Sequence, residues 1–118
     1  MVHIVMTPVF IFQDEGTWFL YSPALDLTGY GETQSKAEES FNVALAELVK
    51  YAKNKGTIKK MLVDMGWTFE SLSKKHFKLT APSLHELLSR DEYLREIFDT
   101  KEFHKINRQV ELPPLAVA

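Results

Sequence analysis

The run 22–33, Ser22-Pro23-Ala24-Leu25-Asp26-Leu27-Thr28-Gly29-Tyr30-Gly31-Glu32-Thr33, constrains this chain more than any other stretch. It lies between a hydrophobic hairpin and the longest amphipathic segment, so it must stop one kind of structure and start another. Pro23 cannot donate a ladder hydrogen bond and ends the strand before it. Gly29 and Gly31 suit either a positive φ or a close approach of two backbones. Glu32 complements a helix start, and either Thr33 or Ser35 (the latter in the capping box Ser35-x-x-Glu38) supplies the cap. The run reads as a short strand, over 27–30, that hands over to a helix.

Upstream, residues 3–13 are almost continuously apolar and predict a strand buried on both faces, with Pro8 marking an edge position or a break. Asp14-Glu15-Gly16 is a turn signal, with Gly16 suited to the left-handed position of a bulged loop. Thr17-Trp18-Phe19-Leu20-Tyr21 returns as a second strand with no polar face. Downstream, Ala37, Phe41, Ala44, Leu45, Leu48, Tyr51 and Ala52 recur every three or four residues and make one apolar helix face. Glu38, Glu39 and Glu47 lie opposite, and Asn54-Lys55-Gly56 stops the helix.

Thr57 caps a short second helix that Gly66 closes. Trp67 and Phe69, then Phe77 and Leu79, alternate as two short strands would. Ser83 and Glu86 begin a further helix whose stripe is Leu84, Leu87, Leu88, Leu94, Ile97 and Phe98. Residues 100–106 extend it by a turn, 107–112 are extended, and Pro113-Pro114 ends the pairing. The expected fold is α+β: an N-terminal three-stranded meander within a mostly antiparallel sheet, with helices packed on it.

Composition narrows the function classes. The chain has 118 residues, enough for one core, and a formal net charge of −2, which supplies no global attraction for nucleic acid. There is no cysteine, no apolar run long enough to span a membrane and no signal-peptide pattern at 1–5, so a cytoplasmic, membrane-free protein is expected. The four histidines, His3, His76, His85 and His104, share no metal-ligand spacing. Asp14, Glu15, Asp26 and Glu32 are each explained by a turn or a helix start. Gly29-Tyr30-Gly31 lacks the third glycine of a dinucleotide fingerprint. The residues offer no catalytic, cofactor or metal constellation, and the expectation is a non-enzyme.

The order of an apolar strand, an acidic turn ending Gly16-Thr17-Trp18, an aromatic strand, Ser22-Pro23-x-Leu25, Gly29-x-Gly31-Glu32-Thr33 and a helix with early Ala37 and Glu38 resembles the N-terminal module of HicB-like antitoxins over residues 3–52. The extension 57–118, with Leu62-x-x-Met65-Gly66-Trp67 and Pro82-Ser83-Leu84-x-Glu86-Leu87-Leu88, is similar to a longer subgroup. The resemblance implies a partial RNase H-like fold without the acidic RNase H site. It also implies a protein that neutralises a small, basic, mRNA-cleaving HicA-type toxin by covering its active surface. Ser22, Pro23, Gly29, Gly31, Glu32, Thr33 and Ala37 are then the structural signature.

For a basic toxin, Glu38, Glu39 and Glu47 offer complementary charge. Phe19 and Tyr21 are either the apolar centre of that interface or are covered by the C-terminal helix. Family members are generally dimeric or larger, and the extended residues 107–112 offer pairing across a two-fold axis. The alternative is a DNA-binding regulator, reading an operator with a helix-turn-helix over 67–90 and the basic Lys74-Lys75-His76-Phe77-Lys78. Against it stand the strand-like alternation of this segment and the acids Glu86 and Asp91.

Overall fold

The computed structural model describes residues 3–73 and 77–113. Its first strand, β1 (His3–Asp14), turns into β2 (Thr17–Ser22) through Glu15 and Gly16. Asp14 lies opposite Thr17, so the loop has two residues and no bulge, and φ is 50° at Glu15 and 81° at Gly16. Positive φ at both positions is what a tight hairpin with the natural strand twist requires. β3 (Leu27–Gly31) follows, then α1 (Gln34–Lys55), α2 (Ile58–Asp64), β4 (Thr68–Ser71), β5 (Phe77–Thr80), α3 (Leu84–Arg90), α4 (Glu92–Thr100) and β6 (Phe103–Leu112).

The fold is α+β. A four-stranded antiparallel sheet has the order β3-β2-β1-β6, and β4 and β5 form a separate antiparallel pair. β6 pairs with β1 from His3 opposite Leu112 to Phe12 opposite Phe103, whereas β2 pairs only with Phe10 to Asp14. Pro8, opposite Asn107, therefore falls where β6 alone accompanies β1, and its missing N–H interrupts nothing.

Alternation along β1 divides the core in two. Val9 and Ile11, with Leu20 of β2, pack against Ala37 and Phe41 of α1. Phe10 and Phe12 face the other way and meet α3 and α4, with the Phe10 and Phe98 rings edge-on at 5.4 Å. A strand apolar on both faces thus has a helical layer on each side. Trp67, 2 % exposed, anchors the second layer: its Nε1–H donates to the Ala24 carbonyl at 2.7 Å.

The β3–α1 joint shows which reading of the glycines holds. Neither Gly29 nor Gly31 has a positive φ. A Cβ on Gly29 would stand 2.4 Å from the Ala37 carbonyl oxygen and from the Phe41 amide nitrogen, and one on Gly31 2.8 Å from the Ala37 nitrogen. The glycines let the helix backbone lie on the strand. Thr33 is the cap, its hydroxyl accepting from the Lys36 N–H at 3.1 Å. Gly56, at φ 65°, ends the helix in the left-handed conformation.

Several expectations are corrected. Segment 67–90 is not a helix-turn-helix: it holds the β4–β5 pair before α3, because Trp67 and Leu79 are drawn to the core on an extended period. Residues 74–76 of the basic stretch lie outside the described residues, as do 1–2 and Pro114. Residues 100–106 do not prolong a helix; α4 stops at Thr100 and Phe103 already pairs with Phe12. Thr57 precedes α2 without a side-chain cap bond. Tyr51 is 63 % exposed on the flank of α1, beneath the Lys55 ammonium, which stands 5.9 Å from its ring centre. Among the described residues no helix is long and apolar enough to cross a membrane.

A candidate partner-binding surface

The stripe from Leu84 to Phe98 does not form one helix. Continued at helical spacing, it would call for an apolar side chain at 91, and the residue there is Asp91. The chain breaks at it, with φ −110° and ψ 101°, so that Asp91 ends α3 and caps α4. Its Oδ1 accepts from the Leu94 N–H at 3.0 Å, and its Oδ2 accepts from the Tyr21 hydroxyl across the fold. One carboxylate therefore sets the helix junction and fastens it to β2.

This clamp lines a cavity of about 340 Å³ bounded by Pro23, Asp26, Asp64, Met65, Leu87, Arg90 and Glu92. Asp26 reaches it from the β2–β3 connection, where its φ is 51°. Asp64, at the end of α2, receives the Lys60 ammonium at 2.8 Å, and its carbonyl accepts from Arg90 at 3.2 Å. Asp26, Asp64, Asp91 and Glu92 outnumber Arg90 on the lining, so the mouth is acidic. Burial, then the hydrogen bond to Asp91, then the nearby carboxylates push the Tyr21 hydroxyl far above its usual range. Tyr21 keeps its proton, so the pair is a clamp rather than an acid–base couple. Chemically, the arrangement suits a cationic side chain presented by a partner.

A larger cavity of about 740 Å³ lies at the hairpin end of the sheet, lined by Phe12, Trp18, Lys101 and His104 among others. There Lys101 neutralises Asp14 at 3.2 Å. Among the described residues no group of three or more His, Cys, Asp and Glu is placed to hold a metal ion.

The anticipated interface residues are not brought together. Tyr21 is buried and Phe19 half-buried: Phe19 stacks on Phe12 at 5.3 Å, and Tyr21, 5 % exposed, meets Tyr93 of α4 edge-on at 4.9 Å. Tyr21 is thus covered within the chain, while Phe19 keeps part of its surface open. Glu38, Glu39 and Glu47 are exposed but do not form one patch. Glu38 and Glu47 are two and a half helical turns apart and so point from opposite flanks of α1. Glu38 shares the β6 flank with Asn42, which bonds Arg108, and Glu47 shares the β3 flank with Ser40, whose hydroxyl accepts from the Tyr30 N–H at 3.2 Å.

The signature residues do converge. Gly29, Gly31, Thr33 and the buried Ala37 make the β3–α1 joint, while Glu32 stands exposed beside it, 4.0 Å from Lys36. Ser22 and Pro23 end β2; Ser22 is fully buried, its hydroxyl without a hydrogen-bond partner among the described residues. Asp64, Arg90, Asp91 and Glu92 are the lining residues that sequence reasoning missed, and the acid interrupting an apolar stripe was the available signal. Comparison of the chain with protein-family models, with curated proteins and with solved structures finds no significant match.

Proposed function

We propose that this chain is a non-enzymatic binding protein of the HicB-like antitoxin type, which neutralises a small basic RNA-cleaving partner by covering its active surface. The observation that carries the reading is the joint at 22–37: Gly29, Gly31, Thr33 and Ala37, which the resemblance also names as its signature, all act at one crossing of strand and helix. The acidic mouth of Asp26, Asp64, Asp91 and Glu92 supplies the surface for a basic partner. It takes the place of Tyr21, which is spent on the core.

The test is co-expression with the product of a short, basic open reading frame beside the gene. The expected result is a co-purifying complex and relief of RNA cleavage. Asp26→Lys with Glu92→Lys should weaken the complex tenfold or more at unchanged melting temperature. Absence of such a neighbour and of any co-purifying basic protein, or undiminished binding by the double variant, would overturn the reading. Tight, sequence-specific retention of its own promoter DNA by the lone protein would replace it with the regulator alternative.

A further inference from the structure

We propose that the aromatic row from Phe12 through Phe19 to Tyr30, with Tyr93 beside it, takes an arginine-bearing segment of a protein partner, whose guanidinium groups lie on the ring faces. This deepens the reading above and rests on it for the basic character of the partner.

The row follows from the register. Phe12 lies opposite Phe19, and Phe19 lies opposite Tyr30. Residues opposite one another in an antiparallel ladder put their side chains on one face, with neighbouring strands about 4.8 Å apart. The missing side chains of Gly29 and Gly31 belong to the other face, where α1 lies. The three rings therefore share the face on which α4 packs. Cover thins along the row towards the β3 edge: Phe12 is 2 % exposed, Phe19 is half-buried and Tyr30 is 64 % exposed. Tyr93 of α4 stands edge-on to Phe12 at 6.4 Å and is itself 41 % exposed. Aromatic surface is left open from the rim of α4 to the edge of the sheet.

Charge decides what this surface accepts. Asp14 is two residues from Phe12 on β1 and so shares its face. Burial pushes the Tyr93 hydroxyl above its ordinary value, and Glu96, Asp14 and Asp91 add to this while Lys101 opposes it. That lysine is already held by Asp14 at 3.2 Å. Asp91 also lines the acidic mouth and accepts from Tyr21, which joins the row to the mouth.

Three occupants can be weighed on these grounds. An apolar segment would strip the carboxylates of water without pairing them. A nucleic-acid strand would stack its bases on the rings but bring its phosphates against the acids. An arginine satisfies both features, because its guanidinium stacks on an aromatic face and presents a planar fork to a carboxylate. Lysine carries the charge without the plane, so the surface should prefer arginine to lysine at equal charge.

Fluorescence anisotropy of labelled hexa-arginine and hexa-lysine at one ionic strength tests this, with the melting temperature of each variant followed. The peptides report on the surface whether or not a neighbouring toxin gene exists. The wild type is expected to bind hexa-arginine about fivefold tighter than hexa-lysine. Tyr30→Leu/Tyr93→Leu keeps apolar bulk and should abolish the preference with hexa-lysine binding unchanged. Tyr30→Leu alone, at an exposed position, should already lower it, and Tyr30→Phe/Tyr93→Phe should retain it. Equal binding of the two peptides, a preference indifferent to the leucine variants, or tighter binding of oligo-uridine than of hexa-arginine would overturn the proposal. A partner complex that Asp26→Lys with Glu92→Lys weakens, but that the leucine variants leave intact, would overturn it while the antitoxin reading stands.

Discussion

Gly29 and Gly31 show how much of the molecule rests on two absent side chains. Their φ values are ordinary, so the requirement is for space, and the atoms that would be struck belong to the α1 backbone or, at Lys36, to the Cβ fixed to it. A backbone cannot step aside without dragging the helix off Val9, Ile11 and Leu20. Gly29→Ala is therefore expected to cost about 3 kcal/mol or to prevent folding, the upper range for overpacking. Gly16 differs, because nothing lies within 4 Å of its added Cβ and only its φ of 81° resists a side chain. Gly16→Ala should cost about 1 kcal/mol. Urea denaturation of the two variants checks this, and an equal or smaller loss at Gly29 would refute the close-packing account.

At the scale of elements, the junction of α3 and α4 depends on one carboxylate serving two ends. Asp91 caps α4 and accepts the Tyr21 proton. A hydrogen bond to a charged group contributes about 1.5–3 kcal/mol, and Tyr21→Phe should lose that amount at neutral pH. The sign of the pH dependence follows from the direction of the shift. The folded state holds the phenolic proton more tightly than the unfolded chain, so the stabilisation is fully present below the ordinary tyrosine pKa of about 10 and falls as pH rises above it. Burial moves Tyr93 in the same direction, and it remains in the variant. Stability against pH from about 9 to 11 should decline less steeply for Tyr21→Phe than for the wild type. Parallel declines would show that the Tyr21–Asp91 bond carries no such linkage.

At the scale of the whole molecule, the module at 3–52 is not closed on itself. β6, from the far end of the chain, accompanies β1 along nearly its full length, and α4 lays Phe98 and Tyr93 on Phe10 and Phe12. The two halves share one sheet and the core over Phe10 and Phe12, so the fragment 1–56 should lack a cooperative thermal transition and dispersed amide resonances. A compact, cooperatively melting fragment would contradict that dependence. The same long-range pairing leaves β6 at the edge of the sheet.

What the sequence by itself determined is local. Val, Ile and Phe on both faces of 3–13 demanded two covering layers, Glu15-Gly16 demanded a tight turn, and Thr33 and Ser83 each carry a cap oxygen that acts within three residues. Gly29 and Gly31 announced that something comes close, though not whether φ or contact was the reason. The tertiary structure decided what depends on partners distant in the chain. Phe103 became a strand residue because Phe12 was there to pair with it, and Asp91 broke a helix because Tyr21 and the Leu94 amide were there to share it. Tyr21 was withdrawn from the surface because α4 returned over it. Periodicity and capping are written into neighbouring residues, whereas cover, register and charge clustering arise only when separate elements meet.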